Sequence, residues 1–226
     1  MAQESTPRAI LLDALGTLLS FEPPAPHLRA ALLERTGADI GEAGAKAAIR
    51  AEIAYYRAHL HEGIDLEKLH ALRLRCAEAM GLPFALDVAF DALMASLRFH
   101  AYADSAPVLR ALRERGLRTV VVSNWDWSLH ERLQETGLAE LVDGAVASAE
   151  VGSAKPDGAI FAAALRIAGT RAEETWHVGD TPEADVAGAL AAGIRPILIA
   201  RDESQGPLDG VTTVRSLAEL IPLLTT

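Results

Sequence analysis

Five short stretches of this chain read as strands, 8–12, 117–122, 145–149, 175–178 and 195–200, and all but the fourth are dominated by consecutive apolar residues. A strand with one wet face alternates apolar and polar side chains, so runs without alternation must be covered on both faces. Helical patterns lie between the later runs, at Pro107–Gly116, Pro156–Gly169 and Pro182–Gly193, each opened by a proline and closed by a glycine. Strands alternating with helices of roughly 10–15 residues pack as a parallel sheet with helices on both sides. The expected class is therefore α/β, with a doubly wound, Rossmann-like parallel sheet of five or six strands.

One segment breaks the alternation. From about Phe21 to His100 the pattern is helical only, clearest over 45–60, 66–80 and 86–99, with breaks at Gly37, Gly63 and Gly81-Leu82-Pro83. This predicts an all-helical, four-helix bundle inserted after the first strand. Pro23-Pro24-Ala25-Pro26 reads as a stiff linker into it, and Tyr102-Ala103-Asp104-Ser105 as the hinge out. The boundaries expected are an α/β core at 1–19 and 104–226 and a helical domain at 20–103.

Composition narrows the function. Of 226 residues half are apolar and 23% charged, which excludes a disordered chain. No apolar run approaches the ~18 residues of a membrane span, and residues 1–8 lack the pattern of a secretory leader. Cys76 is the single cysteine, so intrachain disulfides and most thiolate metal sites are excluded and a reduced, cytoplasmic setting is expected. A net charge of −10 repels nucleic acid and anionic lipid. The partners expected are small molecules, for a monomer or homodimer.

In an open parallel sheet, ligands bind beyond the carboxyl ends of the strands. The first run ends in Asp13-Ala14-Leu15-Gly16-Thr17, the second in Ser123-Asn124, and the fourth in Gly179-Asp180 with Asp185 following. Lys155-Pro156 opens the helix after the third run. A single carboxylate after a strand is an ordinary turn former, but four polar motifs in sheet order suggest a site. Asp13, Asp180 and Asp185 against Lys155 leave a charge of about −2, which one Mg²⁺ with oxygen ligands neutralises.

This ordered set resembles the motifs of the haloacid dehalogenase superfamily of hydrolases, over essentially the whole chain. Asp13-x-x-Gly16-Thr17 is similar to the first motif, Val121-Val122-Ser123-Asn124 to the second, Lys155-Pro156 to the third and Gly179-Asp180-x-x-x-x-Asp185 to the fourth. The helical insertion looks like the cap of one large subclass. The resemblance implies that Asp13 is a nucleophile forming an aspartyl-phosphate. It implies Mg²⁺ held by Asp13, the backbone carbonyl of Leu15 and Asp180, with Asp185 completing the metal site by supporting Asp180 or Lys155. Ser123 and Lys155 would hold phosphoryl oxygens, assisted by Asn124 and the backbone of Gly16 and Thr17. The expected function is a Mg²⁺-dependent hydrolase, a phosphatase of a small phosphorylated metabolite.

Leu15 departs from the pattern, because phosphatases of the superfamily usually carry a second aspartate there as general acid and base. Such a group contributes ~10²–10⁴ in rate. The superfamily's 2-haloacid dehalogenases also lack it and use no metal, with a cap arginine for the substrate carboxylate; Arg57 is the candidate here. The intact acidic fourth motif argues against that reading. Other sources of the acid are Asp126, His59 and His61, and an activated phosphate would need none. Phosphonate hydrolysis would need Lys46 or Lys68, and a non-catalytic phosphate- or metal-binding relic is the remaining alternative.

Overall fold

β1 (Ala9–Leu12) lies in the middle of a six-stranded parallel sheet, and all four of its residues are fully buried. That is the environment an unbroken apolar run demands. The computed structural model describes residues 6–202 and 206–224. The leader expectation falls largely on residues 1–5, outside that set. The remaining strands are β2 (Leu19–Phe21), β3 (Phe99–Ala101), β4 (Arg118–Ser123), β5 (Gly144–Ala147), β6 (Thr175–Gly179), β7 (Arg195–Ile199) and β8 (Thr212–Val214). The large sheet runs in the order β5-β4-β1-β6-β7-β8, while β2 and β3 pair separately where the chain leaves and re-enters. Strand order thus reverses about β1, and the switch point falls beside Asp13.

The helices are α1 (Pro24–Thr36), α2 (Gly41–His59), α3 (Leu66–Ala79), α4 (Leu86–Ser96), α5 (Ser105–Glu114), α6 (Leu129–Glu135), α7 (Ser148–Val151), α8 (Gly158–Ala168), α9 (Ala187–Ala191) and α10 (Leu220–Leu223). Among the described residues, none is long and apolar enough to cross a membrane. Two compact units emerge. Among the described residues, one comprises those up to Ser20, His100–Trp125 and those from Leu129 onward; the other comprises Phe21–Phe99 and Asp126–Ser128. In the first, Ile160 and Phe161 of α8 pack on Ala9 and Leu11 of β1 and Val120 and Val122 of β4.

Several local expectations shift. Pro24 and Pro26 lie inside the first turn of α1 rather than in a linker, because proline lacks only a donor that the first turn leaves unused. Phe99 belongs to β3 and not to the preceding helix, and its ring stacks on Phe21 of β2 at 4.7 Å. The run at 145–149 is strand only to Ala147, after which α7 begins. β8 is three residues of Thr-Thr-Val, too short to signal itself.

The helical unit closes around Leu28, Leu32, Ile49, Leu72 and Leu93. Glu52 of α2 is buried among them, 6% exposed, and its carboxyl meets the Cys76 thiol. Burial, opposed only weakly by that hydrogen bond, pushes Glu52 up to about 7. The folded carboxyl keeps its proton to about pH 7 while the unfolded one loses it near 4.5, so stability falls as pH rises through that window and is flat above it. Glu52→Gln should therefore match the native chain at about pH 5 and exceed it by about 1–3 kcal/mol at about pH 8. Urea unfolding at the two pH values checks this.

Candidate active site

Three strand ends meet at one edge of the sheet. Leu12 of β1 is in register with Val121 of β4 and Val178 of β6. Asp13, Ser123 and Asp180 therefore leave the sheet side by side. Asp13 is 6% exposed, and its Oδ1 accepts hydrogen bonds from Ser123 Oγ at 2.9 Å and Lys155 Nζ at 2.6 Å. The same ammonium donates to Asp185 Oδ1 at 2.5 Å. Asp185 also accepts from His177 Nε2 at 2.9 Å and, on Oδ2, from the Thr181 amide at 3.0 Å.

This wiring sorts the charges. Burial raises Asp13 above the usual carboxylate range, Lys155 pulls it back, and the charge of Asp185 adds to the rise. Burial would raise Asp185 too, but the bond from His177 and the charge of Lys155 outweigh it and hold Asp185 well below that range. Lys155 is raised despite burial because Asp13 and Asp185 both favour its charged form. Asp180 is half-buried; burial first, then the charges of Asp13 and Asp185, push it up to about 6. An ammonium cannot serve three carboxylates equally, and Asp180 carries the excess.

Two glycines make this crowding possible. A Cβ on Gly16, whose φ is +84°, would lie 2.0 Å from Asp180 Oδ2, and one on Gly179 would lie 2.1 Å from Asp185 Cγ. The donor set fits a small divalent cation: carboxylate oxygens of Asp13, Asp180 and Asp185 all lie within 4.8 Å of one another. Hard oxygen ligands with excess negative charge suit Mg²⁺.

Not every expected residue plays its expected part. The Asn124 amide is occupied at both ends by the backbone of Lys155, donating to its carbonyl at 2.9 Å and accepting from its N–H at 2.7 Å. Asn124 thus clamps Lys155 instead of facing a substrate. The Gly16 amide donates to Leu19 O at 2.8 Å and the Thr17 amide to Ala14 O at 3.3 Å, so both shape the loop and neither is free for an anion. Both oxygens of Asp185 already hold donors, which makes it the counter-charge of Lys155. Leu15 is 41% exposed.

In the helical unit, Asp126 is buried, takes the Ser128 amide on Oδ1 at 2.7 Å and is hydrogen-bonded to Tyr56. His59 shares a hydrogen bond of 2.8 Å with Tyr55 O, and His61 and Arg57 are exposed.

Two contributors escaped the motif reading. His177 is an ionisable residue in the middle of a fully buried strand, Thr-Trp-His-Val-Gly, a visible signal. Arg201, the first charged residue after β7, donates to Thr17 O at 2.7 and 3.2 Å and to Asp104 at 2.9 and 3.1 Å, and lies 3.8 Å from the Tyr102 ring centre. It ties the loop after Asp13 to the returning chain.

Residues 7–193 match the haloacid dehalogenase-like hydrolase family. The "haloacid dehalogenase-like hydrolase domain-containing protein 3" of Bos taurus is 38% identical over 121 residues, 51% of this chain and 48% of that protein. The chain thus spans about half the length of that relative. A ribulose-1,5-bisphosphate 5-phosphatase of Halopiger xanaduensis is 29% identical over 205 residues, covering 84% of this chain and 83% of its own. A solved 2-haloacid dehalogenase of Pseudomonas syringae superposes with a TM-score of 0.70 at 22% identity, covering 96% of this chain and 98% of its own, which is a likeness of fold.

Removing one partner of a buried ion pair leaves an uncompensated charge and costs about 3–5 kcal/mol. Lys155→Met should lower unfolding stability by that amount in urea, since Asp13 and Asp185 would lose their shared cation.

Proposed function

The chain belongs to the haloacid dehalogenase-like hydrolases, and from that premise we propose a Mg²⁺-dependent phosphatase of a small phosphorylated metabolite. The observation that carries this reading is the gathering of three carboxylates around one ammonium, leaving a charge of about −2 that repels a phosphate dianion unless a cation is bound. Asp13, Asp180 and the Leu15 carbonyl would hold the Mg²⁺. Once bound, the ion would neutralise this excess and polarise a phosphoryl oxygen.

The chain's own residues supply the rest. Ser123 and Lys155 both hold Oδ1 of Asp13, so Oδ2 is the oxygen that attacks phosphorus. The phosphorus–oxygen bond to the leaving group breaks as the aspartyl-phosphate forms, the leaving oxygen keeping the electron pair and taking its proton from solvent; water then attacks phosphorus, breaks the bond to Asp13 and gives up its proton to solvent, freeing phosphate and the carboxylate. Ser123 and Lys155 lie close enough to steady the transferring oxygens. We assign the helical unit the role of the substrate-selecting cap, and the cytoplasm as the setting. The Halopiger xanaduensis relative, a phosphatase aligned over most of both chains, supports this reading.

Leu15 favours one competing reading. It offers no proton to an alkoxide, and halide needs none, so a metal-free 2-haloacid dehalogenase using Asp13 would tolerate it. The charges of Asp13, Asp180 and Asp185 count against this, because together they exceed that of Lys155 and a carboxylate substrate would meet them without a neutralising ion.

p-Nitrophenyl phosphate, whose leaving group is stable as an anion, tests the choice. Turnover should require Mg²⁺, stop with a chelator and vanish in Asp13→Asn. Halide release from 2-chloropropionate that persists after chelation would overturn the proposal, and no turnover of either substrate would favour a binding role. Leu15→Asp should raise turnover of an alkyl phosphate by ~10²-fold or more while moving p-nitrophenyl phosphate much less. Steady-state rates on the two substrates check this.

A further inference from the structure

We propose that His177 is a positioning residue for the reaction proposed above: its Nε2–H fixes Asp185, and through Asp185 the aim of the Lys155 ammonium at Asp13. The inference rests on that reading only for its effect on rate. The geometry is a single buried line from His177 Nε2 to Asp185 Oδ1 at 2.9 Å, Asp185 Oδ1 to Lys155 Nζ at 2.5 Å, and Lys155 Nζ to Asp13 Oδ1 at 2.6 Å. His177, Asp185 and Lys155 have side chains exposed by 2% or less.

The imidazole's proton is assigned by its neighbours. An ionised Asp185 can only accept, so Nε2 carries the hydrogen. Nδ1 is buried and has no hydrogen-bond partner. The bond to Asp185 is therefore the ring's polar anchor. The Phe161 ring meets it edge-on, with centroids 5.1 Å apart and planes at 89°, which fixes the imidazole's orientation. Without His177, Asp185 would keep the Thr181 amide and Lys155, and could turn about its own side chain. The ammonium would then lose its fixed direction while its charge remained.

Three substitutions separate position from bulk. In His177→Gln the amide nitrogen falls near the place of Nε2 and keeps the donor. In His177→Asn it falls near Nδ1, out of reach, and His177→Leu removes it. With p-nitrophenyl phosphate and Mg²⁺, His177→Asn and His177→Leu should lose about 10–100-fold in kcat with KM within about threefold. His177→Gln should stay within about fivefold of the native rate.

A second readout is independent of turnover. The chain has three lysines, and the side chains of Lys46 and Lys68 are each 57% exposed while that of Lys155 is 2% exposed. A slowly exchanging ammonium signal in the ¹⁵N-labelled protein, absent in Lys155→Met, therefore reports Lys155 alone. It should persist in His177→Gln and broaden or vanish in folded His177→Asn and His177→Leu. The proposal is overturned if the signal is unchanged in all three variants, or if His177→Gln falls with the other two. A native enzyme without phosphatase activity would overturn the functional reading, and the ammonium signal would still decide the role of His177.

Discussion

The structure depends on one ammonium taken out of water. Placing Lys155 in a core costs several kcal/mol unless carboxylates answer it, and Asp13 and Asp185 do so at 2.6 and 2.5 Å. Each comes from a different part of the chain: the end of β1, the loop before α8 and the turn after β6. The sheet brings those parts together, and Asn124 holds the Lys155 backbone from the end of β4. The triad is therefore a product of sheet order, since strands placed otherwise would leave the same residues apart.

The arrangement is also unbalanced. Lys155 bonds two carboxylates directly, while Asp180, pushed up to about 6, lies against Gly16 where no larger residue would fit. Stability alone would favour replacing such a cluster with apolar packing. Its persistence makes sense where the excess charge recruits a cation and then a dianionic group. Arg201 adds a second brace, joining the Thr17 carbonyl to Asp104, so the loop after Asp13 is held to the returning chain as well.

Much of this was legible in the residues. Apolar runs identified β1 and β4 because full burial removes any need for alternation, and the polar residues at the strand ends marked Asp13, Ser123 and Asp180. Lys155 was legible from its place before Pro156. The misreadings share a cause: a motif names a residue without saying where its hydrogen bonds go. Asn124 and the backbone of Gly16 and Thr17 were expected on a ligand, yet the Asn124 amide and both backbone N–H groups bond to the protein itself. Pro24 and Pro26 read as a linker because proline breaks helices in their interior and not in their first turn. β8 carries too few residues for a periodic signal. His177 and Arg201 were visible as an ionisable residue within one strand and a charge just beyond another, but their partners exist only in three dimensions.

The most direct measurement of the central claim is acid quenching during turnover of a radiolabelled phosphate ester with Mg²⁺, followed by peptide mapping. The account predicts a hydroxylamine-labile label on the peptide holding Asp13, lost when the metal is chelated. Phosphate released at full rate with no label on that peptide, or with labelling indifferent to chelation, would contradict it.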